Sequence, residues 1–295
     1  MIVKFLGFDR WQGKINIGSS LIRIDDVIKH WPEASRYKHG DDCDVMIYQK
    51  AYWLEHARAF NGIKILDVCD PDFMEMQSRF MEMVQEVDAI TTSSPELTEF
   101  LKKMTKKPVV YIPDRINIET HREKKEHIGR AKRVVWFGYS TNFPALDSAI
   151  KAIIDARLEL IVISNQPYRA PKTFAMELDL TNIQWTPKTV NEDIIKGDVV
   201  INPRLSTTRF KFKSNNKTLK AWALGVPVAS TDKELKLFMD ETTRKEEAKK
   251  RYAEILEKWD SKQSVDEYKN LIEQIKCNEY KNLIEQIKCN KKKQQ

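Results

Sequence analysis

The chain lacks the long apolar runs, cysteine pairs and clustered histidines that mark several classes of protein. No run of residues in the 295-residue sequence approaches the roughly 18 uncharged apolar residues that a membrane-spanning helix needs. Its four cysteines, at positions 43, 69, 277 and 289, form no C-x-x-C pair, and its five histidines are scattered. Neither a disulfide framework nor a structural zinc site is therefore expected.

The N-terminus lacks the charged-then-apolar pattern of a secretory signal and instead begins MIVKFLGFDRW, which is typical of a first β-strand. Without a signal or a spanning helix, a cytoplasmic location is expected. The composition, 41% apolar and 32% charged, is that of a globular chain and excludes fibrous, collagen-like and generally disordered proteins.

Acidic residues are missing from one stretch, residues 199–231, which we call the basic segment. The whole chain carries a net charge of +7. The basic segment contains no Asp or Glu, and its six positive charges nearly account for that total: Arg204, Arg209, Lys211, Lys213, Lys217 and Lys220. A charge run of this kind is either a solvated surface or an anion-binding site.

Short β-rich runs alternate with helical patterns along the first half. Strands are predicted at 2–8, 44–49, 64–70, 89–93 and 109–113, with helices between them at 19–31, 71–84 and 95–104. This alternation is typical of parallel βαβ units. A charged stretch without apolar periodicity follows and predicts a connector.

The pattern restarts at 133, with strands predicted at 133–139, 158–164, 182–187, 198–203 and 226–230 and helices at 142–156, 190–195 and 216–224. The predicted fold class is therefore α/β, with two Rossmann-like domains facing a cleft. Their predicted bounds are 1–115 and 133–240, with a connector at 116–132 and C-terminal helices at 241–295. Because ligands of parallel sheets bind beyond the carboxyl ends of the strands, candidate site residues should follow strands.

The C-terminal region contains a perfect duplication, EYKNLIEQIKCN at 267–278 and again at 279–290. Twelve residues are not a whole number of helical turns, so in one helix the second apolar stripe is rotated by about 120° from the first. Both copies cannot bury the same face. We interpret the first copy as a packing helix and the second, with KKKQQ, as a solvated or frayed extension.

The basic segment is the strongest candidate for a functional site. Its first strand ends at Pro203, a helix begins near Asn216, and Gly225 ends that helix. Backbone amides at a helix N-terminus, together with Lys and Arg, form a site suited to a diphosphate. We expect the segment to line the cleft between the two domains.

Several motifs then resemble the GT-B glycosyltransferases, especially those similar to family 4. In SNNKTLKAWALGVPVAS an Asn-Lys pair precedes a helix and Ala-x-Gly-x-Pro-Val, and the matching positions are Asn216, Lys217, Ala223, Gly225, Pro227 and Val228. RVVWFGYSTNFPAL is similar to the strand and glycine turn that open the family's donor domain. DAITTSSPELTEFL resembles a late strand and helix of its first domain, and bacteriophage-type members are the most similar in character.

The resemblance implies transfer of a sugar from a nucleoside-diphosphate-sugar to an acceptor hydroxyl, with retention of configuration, no metal and no further cofactor. It places the departing diphosphate against Lys213 and Lys217, which we treat as catalytic. The donor-binding residues expected in these two regions are Gly138, Ser140, Arg204, Ser214, Asn216 and Lys220. The sequence departs from the family at two positions, since Phe212 and Lys220 stand where an acidic pair often occurs. Lys220 either contacts phosphate or covers a helix face.

The turn GKINIGSS, at 13–20, is a second candidate donor contact. Gly18 allows close approach of the backbone, and Ser19 can donate to an oxygen anion. The corresponding loop of GT-B enzymes borders the sugar phosphate. Capping of the following helix explains Ser19 equally well.

The third candidate is LDVCDPDF, at 66–73, where Asp70 stands at the tip of a predicted strand. The resemblance implies that Asp70, the third catalytic candidate, contacts the sugar or the acceptor. Asp70-Pro71-Asp72 also matches the Asp-x-Asp metal-diphosphate motif of the GT-A fold. The repeated α/β halves and the basic segment favour the metal-free alternative. Lys50 and Arg115 follow strands and either face the cleft or pair with nearby acids.

Two other classes of function stay open at this point. A nucleic-acid-binding protein would use the basic segment and the KKK tail, and the two readings merge if the acceptor is a modified DNA base. A catalytically inactive binder of sugar nucleotides is the other. The sequence indicates no oligomeric state.

Overall fold

The computed structural model describes residues 1–8 and 18–293, with side chains of the last helix described up to 278 and at 280 and 281. The chain divides into two compact units. Unit 1 comprises Met1–Asp114, Phe212–Ser214 and Ser261–Gln295, and unit 2 comprises Arg115–Lys211 and Asn215–Asp260.

The strands, in chain order, are β1 Val3–Gly7, β2 Ala34–Arg36, β3 Val45–Gln49, β4 Ile63–Val68, β5 Ala89–Thr92, β6 Val109–Tyr111, β7 Arg133–Phe137, β8 Glu159–Ser164, β9 Leu180–Gln184, β10 Val199–Ile201 and β11 Val228–Ala229. The first helical segment, α1, joins Gly18–Ser20, a π-helical turn Leu21–Asp25, and Asp26–Ile28. The other α-helices are α2 Leu54–Ala59, α3 Gln77–Glu86, α4 Pro95–Met104, α5 Phe143–Asp147, α6 Ile150–Asp155, α7 Val190–Ile195, α8 Thr208–Lys211, α9 Asn216–Ala223, α10 Asp232–Leu237, α11 Glu241–Lys258 and α12 Lys262–Lys293.

Unit 1 contains a parallel six-stranded sheet in the order β2-β1-β3-β4-β5-β6. Side chains alternate along its strands between two buried clusters, one containing Met46 and Leu66 and the other Ile47 and Ile65. The sheet is therefore covered on both faces, as the near-continuous apolar strands predict.

Unit 2 contains a parallel five-stranded sheet in the order β11-β10-β7-β8-β9. Val134 and Val135, adjacent on β7, belong to opposite buried clusters. Because these strands are parallel, the carboxyl ends of β7, β8, β10 and β11 lie at one edge of the sheet. The α/β class with two Rossmann-like sheets and C-terminal helices is confirmed.

Local signals explain where several helices begin. The Ser94 hydroxyl accepts a hydrogen bond from the Leu97 amide, and Pro95 occupies the first turn of α4. Thr231 and Glu234 form a reciprocal capping box that starts α10. Each cap satisfies amides that the helix itself leaves without a partner.

The structure corrects the predicted elements in a few places. β2, α2, α8 and α10 were not predicted, and the single helix expected at 142–156 is divided into α5 and α6. The division falls where the Ser148 hydroxyl donates to the Ala145 carbonyl, 2.7 Å away, so that a side chain competes with the helical pattern. The helix expected at 71–84 begins later, at Gln77, after a 3₁₀ turn at Asp72–Met74.

Both copies of the duplicated sequence lie in the single helix α12. The first copy packs into unit 1, where Tyr268, Leu271, Ile272 and Ile275 are buried. This confirms the predicted packing role of that copy. Side chains of the second copy lie outside the described residues, apart from Tyr280 and Lys281, which are exposed.

Among the described helices, none combines the length and the apolarity needed to cross a membrane.

Candidate functional site

The predicted site residues are distributed over both units. Unit 1 contains Gly18, Ser19, Asp70, Lys213 and Ser214, and unit 2 contains Gly138, Ser140, Arg204, Asn216, Lys217 and Lys220.

In unit 2, the structure brings Lys217 together with the glycine turn that follows β7. The Lys217 amine lies 4.3 Å from the ring centroid of Trp136, the penultimate residue of β7. A Cβ on Gly138 would lie 2.8 Å from Lys217 Cε and closer still to its Nζ. The absence of a side chain at Gly138 therefore makes room for the lysine, and the indole face attracts its charge.

The same edge of unit 2 carries side-chain amides. Asn165, which follows β8, accepts a hydrogen bond from the Ser140 amide at 2.8 Å. Asn202, which follows β10, is buried, and its amide nitrogen donates to the Thr218 hydroxyl at 3.3 Å. These bonds fix the loop after β7 and the first turn of α9 at the carboxyl edge, where ligands of parallel sheets bind.

The N-terminus of α9 is the helix end at which the sequence predicts an anion-binding site. Its first turn contains no acidic residue. Arg204 donates to the Asn215 side-chain oxygen at 3.0 Å, just before the helix. The side-chain amide nitrogen of Asn216, Nδ2, is buried and has no hydrogen-bond partner among the described residues. A buried donor of this kind is usually completed by a water or a ligand.

Residues Phe212–Ser214 of the basic segment belong to unit 1 and are fixed there. The Phe212 ring lies 5.1 Å from Phe100 and 5.8 Å from Phe73, between ring centroids, and the Phe212 carbonyl accepts from the Ser94 hydroxyl. Phe212 is an anchor in an apolar core, which explains physically why a carboxylate is absent from this position.

Ser214 is held by a buried charge network in unit 1. Its hydroxyl donates to Asp114 at 2.6 Å, and the other Asp114 oxygen accepts from Arg23 at 3.1 Å. Arg23 also forms a bidentate ion pair with Asp67. Thr91 adds a hydroxyl donor to Asp67. The network therefore fixes Ser214, the residue directly after Lys213, within unit 1.

Burial and ion pairing act in opposite directions on this network. Burial opposes the charged form of Arg23, but Asp67 and the other neighbours outweigh it and raise the pKa of Arg23 well above its usual value. Burial raises the pKa of Asp114, and Arg23 only partly offsets this. Arg23 therefore stays charged and is the cation on which both carboxylates depend.

Asp70 lies after β4 in a second charged cluster of unit 1. Lys50, which follows β3, places its amine 2.7 Å from Asp70 and 3.5 Å from Asp72. The Tyr52 hydroxyl donates to Asp72 at 2.8 Å. Of the two carboxylates Asp70 is the more exposed, with 37% of its side chain accessible against 17% for Asp72. The alternative in which Lys50 pairs with nearby acids is the one the structure contains.

The remaining predicted residues have plainer surroundings. Gly18 and Ser19 begin α1, and a Cβ on Gly18 would meet no described atom within 4 Å. The preceding part of that predicted turn, residues 13–17, lies outside the described residues. Lys220 is half-buried on α9. Arg115 donates to the Lys258 carbonyl at 3.4 Å within unit 2.

Sequence reasoning missed Asn165 in unit 2 and Asp114 in unit 1, each of which holds a predicted residue of its own unit. A signal existed for each, since Asn165 directly follows an apolar strand and Asp114 follows the stretch VVYIP. Their roles depend on hydrogen-bond partners 25 and 100 residues away in sequence, and no local pattern indicates those pairings.

No family model matches the chain, and no curated protein does. Among solved structures, several share its two-sheet architecture, which is the GT-B fold. The likeness extends over nearly the whole chain, so the fold class rests on more than one unit.

Three of these structures are β-glucosyltransferases. One is described as a DNA-modifying β-glucosyltransferase with and without uridine diphosphoglucose; it is 12% identical, with a TM-score of 0.58 over 92% of this chain and 99% of that one. The T4 phage enzyme with UDP-glucose is 11% identical, with a TM-score of 0.55 over 93% and 99%. The T4 enzyme with UDP and Mn²⁺ is 12% identical, with a TM-score of 0.56 over 92% and 99%. At these identities the likeness shows the fold alone.

Proposed function

We propose that the chain is a glycosyltransferase that moves a sugar from a nucleoside-diphosphate donor to an acceptor hydroxyl. The observation that carries the proposal is the position of Lys217, at the carboxyl edge of the unit 2 sheet, against Gly138 and Trp136. A lysine at this edge, in a segment without acids, suits a diphosphate better than a neutral ligand.

The proposed chemistry needs positive charge at the leaving group. Breaking the anomeric bond develops negative charge on the departing diphosphate and positive charge on the sugar. In unit 2, Lys217 would stabilise the diphosphate together with the α9 amides, Arg204 and Asn216. Lys213 and Ser214, which belong to unit 1, stay predicted as a catalytic residue and a donor contact. Fixed donors of this kind are each worth about 2.7–4 kcal/mol in a water-excluded site.

Substitution of the lysine tests the proposal. Lys217→Ala should lower turnover by about 10²–10³-fold while the fold persists. Lys233→Ala on α10, where the side chain is exposed, is the matched control and should leave turnover unchanged. Equal turnover in the two variants would reject the assignment. If both variants still bind nucleotide sugars and the wild type shows no turnover, the protein would instead be a catalytically inactive binder of sugar nucleotides.

The donor is proposed to be a uridine diphosphate sugar, because the similar T4 structures contain UDP-glucose and UDP. A thermal-shift screen of uridine and guanosine sugars, each with and without chelator, tests both the base and the proposed metal independence. Stabilisation that chelator abolishes would favour a metal-dependent site.

Retention of the anomeric configuration is a separate proposal that depends on the resemblance to family 4. Proton NMR of the first-formed product distinguishes the outcomes, since axial and equatorial anomeric protons have different couplings. An inverted product would remove retention from the proposal and leave the transfer reaction in place.

A hydroxyl on a modified DNA base is the acceptor we propose to test first. Two observations support it: one similar structure is described as a DNA-modifying enzyme, and the basic segment supplies charges suited to phosphate. A base inside a duplex would have to be flipped out to react. Transfer to duplex DNA with a hydroxylated base, but not to unmodified DNA, is the expected result. Salt-dependent binding to both DNAs without transfer would favour a nucleic-acid-binding protein instead.

A further inference from the structure

The pair Asp70 and Asp72 has the spacing of a metal-diphosphate motif, but the structure places a lysine amine between the two carboxylates. Lys50 Nζ lies 2.7 Å from Asp70 Oδ2 and 3.5 Å from Asp72 Oδ1. A divalent cation bound by both residues would need ligand distances of about 2.0–2.6 Å in the same space. The ammonium group and the metal ion cannot occupy this position together.

The backbone of Lys50 is arranged to put the amine there. Its φ is +53°, a left-handed conformation that a lysine rarely adopts. The Lys50 amide donates to the Asp67 carbonyl at 3.0 Å, which fixes the turn at the end of β3. Strain of this kind persists where the surrounding structure determines the conformation, and it is common at functional sites.

The neighbours complete the environment of the cation. The Lys50 amine lies 4.8 Å from the centroid of the Phe8 ring, and the second Asp72 oxygen accepts from Tyr52. Burial opposes the charge on Lys50, but Cys69, Asp70 and Asp72 outweigh it and raise the pKa of Lys50. Asp72 is thus turned toward protein donors, while Asp70 stays partly accessible.

We infer that Lys50 is a built-in cation that takes the place of a divalent metal between Asp70 and Asp72. In the part of the chain that the structure describes, no group of three or more His, Cys, Asp and Glu is arranged to hold a metal ion. The residues present therefore do not fit a metal at this position. The inference deepens the metal independence in the proposed function, yet it concerns binding that is measured without any sugar nucleotide.

Removal of the cation should create the metal site that it now fills. Lys50→Asn is the key variant, because Asn tolerates the left-handed backbone and has no charge. Lys50→Arg keeps the charge and is the matched control. Calorimetric titration of MnCl₂ into the full chain should detect no Asp70-dependent binding for the wild type or Lys50→Arg. Lys50→Asn should bind Mn²⁺ about tenfold or more tightly than the wild type, since like-charge exclusion is gone.

A double variant, Lys50→Asn with Asp70→Asn, should lose the binding that Lys50→Asn gains. If Lys50→Asn does not fold, Lys50→Gly relieves the backbone and removes the same charge, so the comparison is preserved. Mn²⁺ binding by the wild type that Asp70→Asn abolishes would overturn the inference, and so would a folded Lys50→Asn or Lys50→Gly chain that binds no Mn²⁺. Because turnover is not measured, failure here is distinct from failure of the proposed transferase.

Discussion

The amine of Lys217 lies over the indole of Trp136, 4.3 Å from the ring centroid, in the space left by the missing side chain of Gly138. A cation over an aromatic face gains about 0.5–2 kcal/mol, depending on how far it is desolvated. The core residue Trp136 and the turn residue Gly138 therefore share one role, which is to hold the lysine at the carboxyl edge of the unit 2 sheet.

Gly138→Ala should displace Lys217 and lower turnover. The new Cβ would lie 2.8 Å from Lys217 Cε, so the lysine must leave the indole face. If Lys217 contacts the donor, kcat/KM for the nucleotide sugar should fall by tenfold or more, about 1.4 kcal/mol or greater. Steady-state kinetics over a range of donor concentrations measures this.

The control for Gly138→Ala is the double variant with Lys217→Ala. If the alanine acts through the lysine, the two effects should not add, because the second change removes a group already displaced. Full additivity would show that Gly138 acts on the backbone instead. Unchanged thermal unfolding of each variant confirms that the fold persists.

The sequence indicates Gly138 and Lys217 as candidate residues because the signals for them are local. A glycine after a β-strand and an Asn-Lys pair at the start of a helix can both be recognised without tertiary contacts. The cation–π contact between Trp136 and Lys217 could not be predicted, because it joins positions 81 residues apart through the order of strands in the sheet. Trp136 looked like a core residue, and it is one, at 1% exposure.

Arg23→Met should be strongly destabilising. The substitution leaves Asp67 and Asp114 buried without their shared cation, and loss of one partner from a buried ion pair costs about 3–5 kcal/mol. Urea denaturation, read as the free energy of unfolding at constant m-value, measures the loss.

Arg58→Met is the matched control for Arg23→Met. Arg58 also contacts two carboxylates, Glu82 and Glu86, but at the exposed surface, where such pairs contribute little. We expect no resolvable change in unfolding for this variant. Similar losses at both positions would contradict the importance that we assign to burial.

Stability should fall as the pH falls below about 6.5, through His127. Its Nε2 lies 2.9 Å from the Gly225 carbonyl, and Arg244 lies 3.3 Å from its Nδ1. The carbonyl can only accept and the guanidinium can only donate, so the neutral ring satisfies both. Burial lowers the pKa of His127 below the usual 6.5; the hydrogen bond to the Gly225 carbonyl opposes this in part, and Arg244 adds to the lowering.

The sign follows from proton binding. Below pH 6.5 the unfolded chain binds a proton at His127 more readily than the folded chain does. The stabilising contribution is therefore complete above pH 6.5 and is lost as the pH falls toward the folded-state pKa. Melting temperatures between pH 5 and 8 should show a shallower acid slope for His127→Gln than for the wild type. Parallel slopes would exclude His127 as the group responsible.

Sequence periodicity predicted the βαβ plan, because apolar strands buried on both faces leave a strong pattern. It missed β2, a three-residue edge strand, since so short a run carries little pattern. It also missed α10, although Thr231 and Glu234 have the spacing of a capping box. The strand β2 is too short to leave a local pattern, whereas the capping-box signal for α10 is present in the sequence.

The two identical dodecapeptides in α12 allow a test of how much tertiary context decides. Tyr268 and Tyr280 are equivalent positions in the two copies, yet Tyr268 is 1% exposed and Tyr280 is 67% exposed. Tyr268 packs edge-on against Phe5, with ring centroids 5.7 Å apart, and its hydroxyl lies 3.3 Å from Asp67. Local sequence is the same at both positions, so a difference in stability must come from packing.

Tyr268→Ala should therefore destabilise the chain by about 3–5 kcal/mol, as the loss of a large buried aromatic side chain does. Tyr280→Ala, with the same neighbours in sequence, should change the free energy of unfolding by no more than about 0.5 kcal/mol. Chemical denaturation of the two variants beside the wild type gives the comparison directly. Equal losses would mean that the second copy is also packed against the protein in solution, and equal absence of effect would mean that α12 does not contribute to the core of unit 1.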